Sequence, residues 1–285
     1  MSLSIDEIKI QTLKALMSDQ ELMYGLVLKG GNALHLAYDI SNRGSIDIDF
    51  SIKGSFSQEE YARLKSKFDA LLNDQFSTKQ IVAYDVHFYE KPKQGKVPNW
   101  LGYCLEFKLV ARELFDTHGN DIDKIRRESI KINGQSTKYK VDISAFEYVE
   151  GSSQKEIDGV LLNVYSPEMI VVEKLRALCQ SMDAYKNIVP SSNTKQRARD
   201  IYDIEIIRSN FKSLNITKEL IENIFEAKSV PVKFLGNIHT LREQNRQGWD
   251  TVIATVSPSE KLLSYDDYFD RLQEFVNFIN TKILN

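Results

Sequence analysis

The sequence predicts an α+β fold: a mixed sheet with flanking helices, followed by a mainly helical C-terminal half. Three observations predict it. Runs rich in β-branched and aromatic residues, with strand-like alternation, recur up to about residue 147. Ser-x-x-Glu helix starts are interleaved with them. Beyond about residue 165 the apolar residues repeat at helical spacing. The change falls near 150–165, which sets expected domains at 1–155 and 156–285.

Ser4-Ile-Asp-Glu7 is a capping box opening a helix over 5–17. Leu26 to Lys29 is a short apolar strand ending at Gly30-Gly31, and Ala33, Leu34, Leu36 and Ala37 suit a buried helix. Residues 46–52 form an acidic strand, with Ile46, Ile48 and Phe50 turned to a core. Ser57-Gln-Glu-Glu60 opens a second long helix carrying Tyr61, Leu64, Phe68, Leu71 and Leu72. Strands follow near 79–90, 101–112 and 137–147, with a Pro- and Gly-containing loop after the first and an Asn133-Gly134 turn before the last. Residues 150–158 read as a polar loop. Ser166-Pro167 starts a helix to about 183, and others are expected over 196–210, 217–227 and 258–282, the last opened by Ser257-Pro258-Ser-Glu260. Residues 185–195 read as a flexible connection.

At 285 residues, 42% hydrophobic and 27% charged, the chain has the composition of a soluble globular protein. It has no 18-residue apolar run and no signal-peptide pattern at its start, so a cytoplasmic location is expected. Cys104 and Cys179 are too few for a disulfide framework and have no partners at zinc spacing. The formal net charge of −3 does not advertise a nucleic-acid binder, although a local basic patch is enough for one.

The stretch KGGNALHLAYDISNRGSIDIDF, residues 29–50, carries the chemistry. Asp47 and Asp49 are two apart on a strand, so both carboxylates share one side. Two adjacent acids repel unless a cation lies between them, and hard ions such as Mg²⁺ take oxygen ligands and keep phosphate oxygens. Gly30 and Gly31 let the backbone approach a phosphate, and Ser45 adds a hydroxyl. The segment therefore reads as a metal–phosphate site; the competing reading is an acid pair on a solvated strand edge. Asp121 and Asp123 share the spacing but sit at a turn and helix start, where acids favour the N-terminal dipole, so their reading is structural. His35 reads as a packed residue rather than a ligand.

Lys29-Gly-Gly-Asn-Ala-Leu34 followed by Arg43-Gly-Ser-Ile-Asp-Ile-Asp-Phe50 resembles the AbiEii/AbiGii nucleotidyltransferase toxins, of the polymerase-β-like superfamily. Glu173-Lys-Leu-Arg-Ala-Leu178 and Arg199-Asp-Ile-Tyr-Asp-Ile204 resemble that family's later motifs, and the likeness spans about 24–210. The resemblance implies a nucleotidyltransferase-like sheet and Mg²⁺-dependent, two-metal transfer of a nucleoside monophosphate from an NTP. The implied acceptor is RNA, such as the 3′ end of tRNA, and the implied role is that of the toxin of a toxin–antitoxin or phage-defence system; the alternatives are a protein or small-molecule acceptor, or a non-catalytic nucleotide-binding module. A cognate antitoxin is the implied partner.

By the same likeness, Asp47, Asp49 and Asp142 are the expected catalytic metal ligands, Asp142 interrupting an apolar strand as the third acid. Lys29, Gly30, Gly31, Arg43, Ser45 and Lys174 are expected at the nucleotide, with Lys174 and Asp200 also catalytic. Asp200 would position Lys174 or the substrate, Asp203 matches the family's later acid and Tyr202 packs or stacks. Without the likeness Lys174 would read as a surface lysine, and Arg199 with Asp203 as an i,i+4 ion pair. Asn32 departs from the family, which often has Thr there. Six Lys or Arg against one acid over 124–140, and the basic residues of 195–199, are candidate RNA contacts or solvated faces.

Overall fold

The computed structural model describes residues 3–41, 45–91, 100–119, 121–132, 136–192, 194–258 and 260–285. Arg43, Asn120, the expected loop over 92–99 and the expected Asn133-Gly134 turn lie outside the described residues. The chain divides into two compact units. Met1–Asn32, Ser45–Phe146 and Gln154–Val164 form the first, and Ala33–Gly44, Glu147–Ser153 and Tyr165–Asn285 form the second.

The first unit is built on the mixed sheet that the sequence predicts. Its strands are β1 (Val27–Lys29), β2 (Ile48–Ser51), β3 (Ile81–Glu90), β4 (Gly102–Ala111), β5 (Tyr139–Ser144), β6 (Ser153–Ile157) and β7 (Val160–Val164), in the order β3-β4-β5-β2-β1-β7-β6. Strands β2 and β5 run parallel, as do β1 and β7, whereas β1–β2, β3–β4 and β4–β5 are antiparallel. Helix α1 (Ile5–Met17) starts at the Ser4–Glu7 capping box, followed by α2 (Gln20–Gly25) and the single turn α3 (Gly30–Asn32). Helix α4 (Gln58–Ser77) starts at the Ser57–Glu60 box.

Helix α4 buries Leu64, Phe68, Leu72 and Phe76 against the sheet, with Phe68 4.7 Å from Phe88 between ring centroids. Each such ring removed from water contributes about 1.5–3 kcal/mol. Phe88, Leu105 and Val141 are register partners, so α4 covers the face to which Val141 points. Strand β5 alternates: Tyr139, Val141 and Ile143 are buried, while Lys140, Asp142 and Ser144 are half-buried on the other face. Further helices α5 (Arg112–His118) and α6 (Ile122–Arg127) follow β4, with Asp121 capping α6 through the Lys124 amide, the structural role expected of it.

Two expectations for this unit need correction. Ile46 is 42% exposed, because β2 begins only at Ile48 and strand alternation does not reach back to it. Residues 153–164 are not a loop running into a helical half but the hairpin β6–β7. Asp158 (φ 49°) and Gly159 (φ 80°) form its two-residue turn, both in the left-handed region that such turns require. The Asp-Gly pair was the available signal, masked by the polar exposed residues of β6.

The second unit is helical: α7 (Pro167–Gln180), α8 (Ala198–Asn210), α9 (Lys218–Glu226), α10 (Arg242–Arg246), α11 (Asp250–Ile253) and α12 (Tyr265–Ile279). A π-helical turn, Ala33–Ala37, and 3-10 segments at Asp183–Asn187 and Val232–Leu241 accompany them. Leu175 and Leu178 of α7, Ile201 and Ile204 of α8, Phe225 of α9 and Phe269 of α12 are all buried. The cap of helix α12 lies seven residues after the predicted one, Ser257. Ser264 and Asp267 make its capping box, whereas the Glu260 carboxylate accepts from the Tyr202 hydroxyl at 2.7 Å and lies before the helix. The stretch expected to be flexible is anchored: Tyr185 and Val189 are fully buried, and the Tyr185 hydroxyl donates to the Lys228 carbonyl at 2.8 Å.

Nothing lies within 4 Å of a Cβ placed on Gly159, so only backbone strain opposes a side chain there. Gly159→Ala is expected to lower stability by about 1–2 kcal/mol in urea unfolding.

Candidate active site

Strand β2 lies between β1 and β5, and this places its acids. Lys29 pairs with Asp49 across β1–β2, and Asp49 with Asp142 across β2–β5. Paired residues of adjacent strands share a face, so Asp49 and Asp142 are neighbours on the side turned away from α4. Cys104 and Tyr89 continue the row on β4 and β3. Burial pushes the Cys104 thiol up to about 11, so it stays protonated beside Asp142.

Gly30 closes one side of this row. Its φ is +67°, and a Cβ there would come 3.0 Å from Asp49 Oδ2. Glycine is thus required twice, for the left-handed backbone and for the approach of the turn to the carboxylate. Gly31 is buried next to it, Lys29 is 9% exposed, and Ser45 is half-buried two residues before Asp47.

Asp47 lies one residue before β2, outside the ladder. Its carboxyl is held above the usual carboxylate range, first by burial and then by the negative charge of Asp142; Lys140 and Lys91 pull the other way. Lys91 Nζ is 3.3 Å from Asp142 Oδ1, and Lys138 and Lys140 reach Glu106 at 3.3 and 3.4 Å. Asp142 and Glu106 thus act on Asp47, with lysines at their margin. Among the described residues, no group of three or more His, Cys, Asp or Glu is arranged to hold a metal ion.

One residue here escaped the sequence reading. The Asn32 side-chain amide donates to the Asp47 carbonyl at 2.6 Å, and Asn32 is wholly buried. Its place directly after the two glycines was the only signal.

The other expected site residues fold together in the second unit. Lys174 is 5% exposed on α7, and its ammonium donates to Asp200 at 2.9 Å and to Asp203 at 2.7 Å, both on α8. The reading of Lys174 as a surface lysine is thereby excluded, and Asp203 is a partner of Lys174. Two residues further along α7, Arg176 makes a bidentate pair with Glu147 at 2.7 and 3.3 Å, and Lys228 lies 3.6 Å from the same carboxylate. Tyr202 is fully buried against Tyr268, packing rather than presenting its ring. His35 Nδ1 is 3.1 Å from the Ser41 carbonyl, a packed residue as expected. Both cysteines are free and buried.

The Asp203 side chain is only 1% exposed and Asp200 16%, so their removal differs in consequence. Either substitution leaves Lys174 one carboxylate, so Asp203→Ala is expected to cost about 1.5–3 kcal/mol in urea unfolding, the worth of a hydrogen bond to a charged group. Asp200→Ala should cost less, because the Asp200 carboxylate is the more exposed of the two.

Comparison with known proteins accords with this geometry. The family model described as nucleotidyl transferase AbiEii toxin, type IV TA system, matches residues 11–271. The crystal structure of JHP933 from Helicobacter pylori superposes with a TM-score of 0.52 at 16% identity, covering 99% of this chain and 95% of that one. A proposed nucleotidyltransferase from H. pylori gives a TM-score of 0.52 at 16% identity, covering 98% and 94%. These two likenesses concern the fold. No curated protein matches significantly. With its glycine turn, its acids on adjoining strands and a family match spanning nearly its full length, this chain belongs to the AbiEii nucleotidyltransferase toxin family of type IV toxin–antitoxin systems.

Proposed function

We propose that this nucleotidyltransferase moves a nucleoside monophosphate from an NTP to an RNA acceptor, the 3′ end of tRNA being the specific candidate, with Mg²⁺ at Asp47, Asp49 and Asp142. The observation that carries the reading is the register of Asp49 and Asp142 on neighbouring strands, with the Asp47 carboxyl raised first by burial and then by the charge of Asp142. Burying like charges together is costly unless a cation answers them. The donor set, all carboxylate oxygen, fits a hard divalent ion. Such an ion usually takes one or two carboxylates and fills its shell with water and phosphate, so a ready-made protein cage is not needed. When bound, two such ions neutralise charge on the attacking and leaving oxygens.

The chain's own residues do the rest. Residues 1–155 supply the catalytic acids, and 156–285 contribute contacts to substrate. Gly30 and Gly31, with Lys29, Ser45 and Arg43, hold the triphosphate: the glycines through backbone approach, the others through hydrogen bonds and charge. Asp142 orients the acceptor hydroxyl, with Lys91 3.3 Å from its carboxylate. Lys174 supplies a positive charge for the nucleotide, held in place by Asp200 and Asp203. The type IV system implies a cognate antitoxin as partner.

The test is incubation with Mg²⁺, each labelled NTP in turn and total tRNA, with Asp49→Ala in parallel. Label on tRNA that requires Asp49 and is lost on chelation is the expected result, and it names the donor base. Label on protein or on a small molecule instead would replace the RNA acceptor. Absence of Mg²⁺-dependent NTP binding would overturn the reading. If Lys138 and Lys140 meet the acceptor backbone, alanine at both should raise the acceptor KM about tenfold and leave the NTP KM unchanged. The salt slope of acceptor binding should then become shallower by about 1.4, two phosphate contacts' worth for a single strand.

A further inference from the structure

The start of the acidic strand has a support that the ladder does not provide. Strand β2 pairs with β5 from Ile48 onward, and with β1 no further back than Asp49. Asp47 is thus outside the ladder at the point where a metal ligand needs fixed geometry. Its carbonyl is instead held by Asn32 Nδ2 at 2.6 Å. Asn32 is 0% exposed, and its Oδ1 has no hydrogen-bond partner among the described residues.

An unsatisfied buried carbonyl costs about 1–3 kcal/mol. An apolar residue of the same shape would avoid that cost and pack as well. What an apolar residue would lose is the donor to Asp47. We infer that Asn32 is a positioning residue for metal binding: it replaces the missing ladder bond and holds the Asp47 main chain so that its carboxylate meets the ion. The inference rests on the metal reading of the acid cluster but not on the identity of the acceptor.

Substitution by leucine tests it, since leucine keeps the branched shape and removes both the donor and the orphaned acceptor. The readouts are urea unfolding of the nucleotide-free protein and Mn²⁺ binding, followed by electron paramagnetic resonance with a non-hydrolysable NTP analogue present. For Asn32→Leu the urea midpoint should be equal or higher, while the Mn²⁺ Kd rises about tenfold, the scale of lost outer-shell support at a metal site. Asn32→Asp keeps the shape, loses the donor and adds a negative charge. It too should bind Mn²⁺ more weakly, because position rather than charge is what Asn32 supplies. An unchanged Kd in the leucine variant overturns the inference, as does tighter binding in the aspartate variant. So does a loss of Mn²⁺ affinity matched by an equal loss of stability, which would make Asn32 a packing residue. Wild-type protein that binds Mn²⁺ no better than Asp49→Ala would remove the metal reading itself. Wild-type protein that binds Mn²⁺ but labels no RNA would remove only the acceptor.

Discussion

Like charges gathered on one sheet face are the constraint around which the first unit is organised. Carboxylates brought close together repel one another even at the effective dielectric of a protein surface. A loop would relax away from such a cost. Asp49 and Asp142 cannot, because they sit inside the ladders of two parallel neighbouring strands whose opposite face is packed with aromatic rings. The lysines at the margin soften the field without removing it: Lys91 reaches Asp142, while Lys138 and Lys140 are drawn to Glu106. A hydrophobic core on one face thus maintains an electrostatic tension on the other, and a tension of this kind is what a divalent ion relieves.

The second unit treats charge in the opposite way. Lys174 answers Asp200 and Asp203 in one place, and Arg176 with Lys228 answers Glu147 in another. These pairs are buried and matched: Lys174 ties α7 to α8, and Arg176 ties α7 to the segment that carries Glu147. The contrast between the two clusters is one of arrangement: acids gathered on neighbouring strands in the first, and a buried ammonium shared by two acids in the second.

Much of this was legible in the chain. The capping boxes at Ser4 and Ser57 located α1 and α4, because a cap is a local contract between residues three apart. The acid pair and Asp142 stood out because Asp is a poor strand former set among Val and Ile. What stayed hidden depended on distant partners. Glu260 looked like half of a capping box until its role as acceptor for Tyr202 was visible. Tyr185 and Val189 lay in a polar stretch whose burial only the tertiary fold supplies. The Asp158-Gly159 turn was a local signal, missed because β6 is mostly exposed and shows little of the alternation that marks a half-buried strand.

Asn32 was the least legible of all, and the reason is instructive. A buried asparagine after two glycines has no periodicity and no motif of its own; its meaning lies in a carbonyl fifteen residues away. The same three-residue turn touches both acids by different means: Gly30 through the absence of a side chain against Asp49, Asn32 through the presence of one against Asp47. A turn fixed in this way cannot shift toward or away from a phosphate without displacing the acids. On the proposed reading, the backbone that holds phosphate and the carboxylates that hold the ion would behave as one mechanical piece, each setting the geometry of the other.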